Sequence, residues 1–134
     1  MKSIMLERDG DAPLVFEGEL LAEARGGDPD RSRWHELALY RSRAGNYVLE
    51  ARYESRWQGE SGAREALVLD GPASLRASLR AYDPLKNVVG YPPGAAYAGK
   101  QARLETGLRR DYESLVRDLY RSLPEPSLFA EVVE

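Results

Sequence analysis

Residues 33–57 read RWHELALYRSRAGNYVLEARYESRW, two β-rich runs on either side of Arg43-Ala44-Gly45. A three-residue connection ending in glycine suits a hairpin loop in which a type I turn is followed by a left-handed residue, because glycine has no Cβ to clash there. Closing that loop by pairing Ser42 with Asn46 sets the register of both strands. Leu39 then opposes Leu49, Leu37 opposes Ala51 and His35 opposes Tyr53 on one face. On the other face Tyr40 opposes Val48 and Glu36 opposes Arg52, an opposite-charge cross-strand pair. A two-residue loop would set Leu39 against Glu50 and scatter charge over both faces. The face with Leu37 and Leu39 is therefore expected to be the core face, and the face with Tyr40 the outer one.

Working outward toward the amino terminus, Lys2 to Glu7 reads as a short strand ended by Asp9-Gly10-Asp11-Ala12-Pro13. From Leu14 to Ala24 the alternation places Leu14, Phe16, Leu20 and Ala22 on one face and Glu17, Glu19, Leu21 and Glu23 on the other. Gly26 to Asp30 is a polar loop. Beyond the hairpin, Gln58 to Gly62 is a turn and Arg64 to Leu69 returns antiparallel, so residues 1–69 form the sheet. Pro72 opens a helix over 72–82, with Leu75, Leu79 and Tyr82 on one stripe, and Asp83-Pro84 ends it. Residues 87–99 hold three glycines, two prolines and two tyrosines and read as a loop. A second helix is predicted over 100–123, with Leu104, Leu108, Tyr112, Leu115, Leu119 and Leu123 facing inward. Glu105–Arg109 and Glu113–Arg117 are its expected i,i+4 ion pairs. Pro124 and Pro126 stop it, leaving 124–134 as a tail or an extra strand. The expected fold is α+β, one domain over 1–134: an antiparallel four- to five-stranded β-meander covered on one face by two C-terminal α-helices.

A chain of 134 residues with 43% hydrophobic content can bury a core without covalent staples. Its net charge of -3, with 31% charged residues of both signs, marks neither a polycation nor an acidic tail. The absence of cysteine excludes disulfides, thiol nucleophiles and sulfur-ligated metals. The apolar run Ile4 to Leu6 is too short for a signal peptide, and no segment approaches 18 uncharged apolar residues. The expectation is a cytoplasmic protein that avoids membranes.

Chemical motifs are sparse. Gly94 to Gln101 has the GxxxxGK spacing of a phosphate-binding loop, but Gln101 stands where Ser or Thr would hold magnesium, and two prolines precede it in place of a strand. His35 is the only histidine, so a catalytic triad or a histidine-bound metal would have to be built on a strand residue packed opposite Tyr53. The pairs Asp9/Asp11 and Asp28/Asp30 sit in turns, where aspartate is favoured by local backbone bonding. No catalytic residue, metal site or cofactor is assigned, and the reading leans away from an enzyme.

Charge is nonetheless segregated. Residues 31–57 carry six arginines against three glutamates, whereas residues 1–30 carry three basic against eight acidic side chains. Arginines interleaved with tryptophan and tyrosine on a sheet could bind a protein or single-stranded nucleic acid, although Glu36, Glu50 and Glu54 offset the nearest arginines. Trp34, Tyr40, Arg41, Arg43, Arg52 and Arg56 are the expected interaction residues. A homodimer or protein partner ranks first. A nucleic-acid-binding module is the alternative, and an enzyme or small-ligand protein with a pocket between the sheet and loop Gly90–Lys100 is the third reading.

Finally, FEGELLAEA followed by RWHELALYRSRAGNYVLEARYESRWQGES and two helices, spanning Phe16 to Ser61 in its sheet part, resembles the EXLDI family of small uncharacterised bacterial proteins associated with plasmids and phages. The resemblance implies an accessory role in a mobile element. It implies no activity, cofactor or site residues.

Overall fold

A computed structural model of the chain describes residues 1–26 and 30–133. The hairpin forms as its loop requires, from β3 (Arg33–Ser42) and β4 (Tyr47–Ser55). Ser42 N donates to Asn46 O at 2.8 Å, Gly45 N donates to Ser42 O at 2.9 Å, and Gly45 adopts φ 92°. The register follows: Leu39 faces Leu49, Leu37 faces Ala51, His35 faces Tyr53, and Glu36 faces Arg52. The remaining strands are β1 (Lys2–Arg8), β2 (Asp11–Arg25) and β5 (Ala63–Leu69). All five lie in one antiparallel meander in chain order.

The long strand β2 departs from simple alternation. A bulge between Leu20 and Ala22 inserts Leu21, so Leu20 pairs with Tyr40 whereas Ala22 pairs with Leu39. Leu20 and Ala22 therefore lie on opposite faces and not, as alternation alone predicts, on one. A bulge adds one residue to one strand and increases the local twist. Here it switches β2 from facing one core to facing the other.

The sheet curls until its first and last strands meet at one corner. Asp9 N donates to Arg64 O at 3.0 Å, and Arg64 N donates to Asp9 Oδ2 at 2.8 Å. Inside the curl Leu6 of β1 packs on Val48 of β4 and Ala66 of β5, with Ile4, Leu14, Phe16 and Tyr40 around them. The face of the hairpin expected to be the outer one thus holds a second, smaller core. Gly18 allows it, because a Cβ there would lie 2.5 Å from Arg41 O and 2.9 Å from the Phe16 ring.

The other face carries the main core. Leu37, Leu39, Leu49 and Ala51 pack beneath α1 (Pro72–Ala81) and α2 (Ala95–Arg121), which contribute Leu75, Leu79, Tyr112, Leu115 and Leu119. α2 starts five residues earlier than its leucine pattern suggests. Gly94 caps it at φ 135°, and its first turns are held by Tyr97 stacked on Tyr91 at 6.0 Å and by Gln101 Oε1 accepting from Tyr91 N at 2.8 Å. The carboxy-terminal segment is neither strand nor loose tail over its first part: Pro126–Phe129 forms a 3₁₀ turn, and Phe129 packs edge-on against Tyr47 at 5.4 Å. Among the described residues no helix is long and apolar enough to cross a membrane.

Two glycines predict opposite outcomes. Gly18→Ala forces a methyl into backbone and should lower stability by about 1–3 kcal/mol. Gly107→Ala, mid-helix with nothing within 4 Å of the added Cβ, should raise it by about 0.5–1 kcal/mol. Urea denaturation midpoints of the two variants check both signs.

Candidate functional site

The hairpin residues are dispersed. Arg41 and Arg43 lie at the turn end, where Arg43 bonds Glu17 at 3.0 Å. Arg56 lies at the opposite end of the hairpin, roughly 30 Å away for strands of this length. There its guanidinium rests 4.8 Å above the half-buried Trp34 ring. Tyr40 and Arg52 point into the curl. Tyr40 meets Phe16 edge-to-face at 5.8 Å, and Arg52 sits 3.3 Å from the buried Glu50 at a mouth that Glu23, Arg25 and Glu36 also line. Curvature and the strand's two faces thus separate six residues that are close in sequence.

The other sequence motifs have structural occupations. Residues 95–101 of the GxxxxGK stretch are helical, so they offer no loop to cradle a phosphate. Asp9 caps the curl's closing corner and Asp11 Oδ1 accepts from Ala12 N at 2.7 Å. Asp28, like Gly27 and Pro29, lies outside the described residues. The cavity between sheet and loop is about 220 Å³, lined by Arg33, Trp57, Glu60, Val89 and Tyr91, and includes neither His35 nor Tyr97.

That cavity borders a buried polar lock that the sequence did not flag, because Glu60 reads as an ordinary turn residue. Arg33 donates to Glu60 from Nε at 2.9 Å and from its NH2 group at 3.1 Å. The Tyr53 hydroxyl donates to the same carboxylate, and Val89 N donates at 2.8 Å. Burial pushes the Glu60 carboxyl up, but the bonds from Arg33, Tyr53, Ser55 and Val89 outweigh it and hold it at about 2. The lock ties turn 58–60 and loop 87–91 to β3 and β4. Beside it His35 is buried among the rings of Tyr53, Tyr82 and Tyr112, at 5.1, 5.5 and 5.8 Å. Burial, aided by Lys86, lowers its pKa to about 4, and its Nε2 has no hydrogen-bond partner. A histidine sealed in this way fills space in a core and reaches no substrate.

The surface that gathers chemistry is the groove between α1 and α2, about 630 Å³. Its floor is Leu79, Tyr82, Tyr112, Val116, Tyr120 and Phe129. Tyr82 stacks on Tyr112 at 5.2 Å and 18°, and Tyr112 Oη donates to Leu79 O at 2.7 Å, joining the two helices. The rim carries Arg76 and Arg80 from α1, Arg109, Glu113 and Arg117 from α2, and Glu131 from the carboxy-terminal segment. Glu131 takes two arginines: Arg80 donates to it at 3.1 Å and Arg76 Nε lies 3.8 Å away. The expected pairs Glu105–Arg109 and Glu113–Arg117 do not close to ion-pair distance, so Arg109 and Arg117 have no ion-pair partner among the described residues. Exposed i,i+4 pairs are weak and lose side-chain entropy when they close. Burial raises the pKa of Tyr82 and Tyr112, which keeps both hydroxyls protonated. The groove thus presents arginine cations and neutral tyrosine hydroxyls side by side.

A sequence signal for this site existed in Arg76 and Arg80, one turn apart beside Leu75 and Leu79. Which helix they would face was not readable. No family model matches the chain, and no curated protein or solved structure matches it.

Two of the buried ionisable groups, His35 and Glu60, predict acid loss of stability in separate windows. His35 takes up its proton at pH 6.5 when unfolded but only near 4 when folded, so stability should fall by about 3 kcal/mol as pH drops between those values. Glu60 acts lower: its ionised form stabilises the fold above 4.5 and that contribution disappears as pH falls toward 2. Denaturant titrations at successive pH values should show the first window flattened in His35→Phe and retained in Glu60→Gln. The latter should in addition lose about 3 kcal/mol at neutral pH, because Arg33 is left buried without its partner.

Proposed function

We propose that this protein is a non-enzymatic interaction module whose recognition surface is the groove between α1 and α2. The observation that carries the reading is the composition of that groove: a continuous aromatic and aliphatic floor bordered by four arginines, two of them without an ion-pair partner among the described residues. Aromatic side chains and arginine are enriched at the centres of protein interfaces, and an apolar floor with a charged border suits an amphipathic segment carrying negative charge. Nucleic acid fits less well, since the hairpin arginines are divided between its two ends and Glu113 and Glu131 stand on the groove's rim. The resemblance of Phe16 to Ser61 to the EXLDI family supports an accessory role in a bacterial mobile element. The partner then comes from that element or its host.

Selection of random twelve-residue peptides displayed on phage against the immobilised protein tests the reading. Enriched sequences should combine Asp or Glu with aromatic residues or leucine. Their binding should weaken at least tenfold in Arg109→Glu/Arg117→Glu and survive in Arg41→Ala/Arg43→Ala. Binders indifferent to the groove arginines, or retention of labelled single-stranded nucleic acid in place of peptides, would overturn it.

A further inference from the structure

The carboxy-terminal segment already occupies one end of the groove. The 3₁₀ turn Pro126–Phe129 buries the Phe129 ring against Tyr47 and brings the chain across the end of α1. Two residues later the Glu131 carboxylate reaches Arg76 and Arg80. Both Phe129 and Glu131 line the groove, and beyond them Val132 and Val133 are exposed at 82% and 87%. The segment thus enters the groove by one aromatic and one carboxylate and then leaves it. Across from it, Arg109 and Arg117 stand about 12 Å apart along α2, one on either side of Glu113.

Resting on the reading of this groove as the recognition surface, we infer that its partner is a peptide segment presenting an aromatic or leucine side chain and, two residues later, a carboxylate. The chain's own Phe129-Ala130-Glu131 holds part of that place until the partner arrives. The charge balance points to an acidic occupant, because the four arginines of the rim face only Glu113 once Glu131 is displaced. The exchange is also cheap. Glu131 and Arg80 are 49% and 67% exposed, so an incoming carboxylate restores what that ion pair contributes, and the buried Phe129 ring gives way only to a partner ring that fills the same space. The incoming segment keeps the arginine contacts and adds Arg109 or Arg117, which Glu131 does not reach. A polypeptide is the favoured occupant because the group now in the groove is one, seated by the Phe129 and Glu131 side chains.

The test uses the full chain and a fluorescein-labelled synthetic peptide of residues 123–134, LPEPSLFAEVVE, with binding read by fluorescence anisotropy. Glu131→Gln in the protein should tighten peptide binding about two- to fivefold, the factor corresponding to loss of one exposed ion pair. The same change made in the peptide should weaken its binding to that variant, and Arg76→Glu/Arg80→Glu should abolish it. Equal affinity for wild type and Glu131→Gln, or indifference to the change in the peptide, overturns the inference. Absence of binding to every form overturns it too. If peptides from the phage selection still bind and still depend on Arg109 and Arg117, the groove reading survives that failure; if they do not, both fall.

Discussion

The fold depends on the closure of one loop, Ser42 paired with Asn46 around Gly45. Because side chains alternate along a strand, a shift of one residue there would reverse every side chain of β3 relative to β4. With the loop closed as it is, Leu37, Leu39, Leu49 and Ala51 share a face. That face is what α1 and α2 cover, and the covering in turn builds the groove. Gly45 at φ 92° is the position where a side chain would oppose this geometry.

The second constraint is curvature. The bulge at Leu21 and the bare α-carbon of Gly18 let the sheet close on Leu6, Val48 and Ala66, giving one small domain two apolar cores on opposite faces of a single sheet. This arrangement explains why Tyr40 and Arg52 are not surface residues in the ordinary sense. It also divides labour: the curl and the Glu60 lock hold the framework, while the helix side carries the arginine-bordered groove. His35 belongs to the framework, since the rings it packs against include Tyr82 and Tyr112, the stacked pair that floors the groove.

Legibility in the sequence follows interaction range. The hairpin register, the order of the strands, the first helix and the inward face of the second could be read because each rests on contacts between near neighbours or on a repeated period. The early start of α2 could not, because alanine-rich residues 95–102 carry no apolar stripe and are held by Tyr91 from the preceding loop. The face switch in β2 could not either, since a bulge leaves the composition of a strand unchanged. The aromatic and arginine-rich hairpin stood out as a working surface, yet its members are spread over two faces and two ends. The groove was not legible as one surface, because Arg109 and Arg117 read as halves of i,i+4 pairs and arginine on a helix ordinarily faces water.

By itself, then, the sequence determined an antiparallel meander followed by two amphipathic helices, because loop geometry and side-chain period are local properties. Only the tertiary structure decided that the sheet curls around a second core, that Arg33, Tyr53 and Glu60 meet in its lock, and that Arg76, Arg80, Arg109, Arg117 and Glu131 surround one groove. Those residues come from segments up to 55 positions apart, as with Arg76 and Glu131. What brings them together is burial of apolar area over the whole domain, a sum that no local pattern carries.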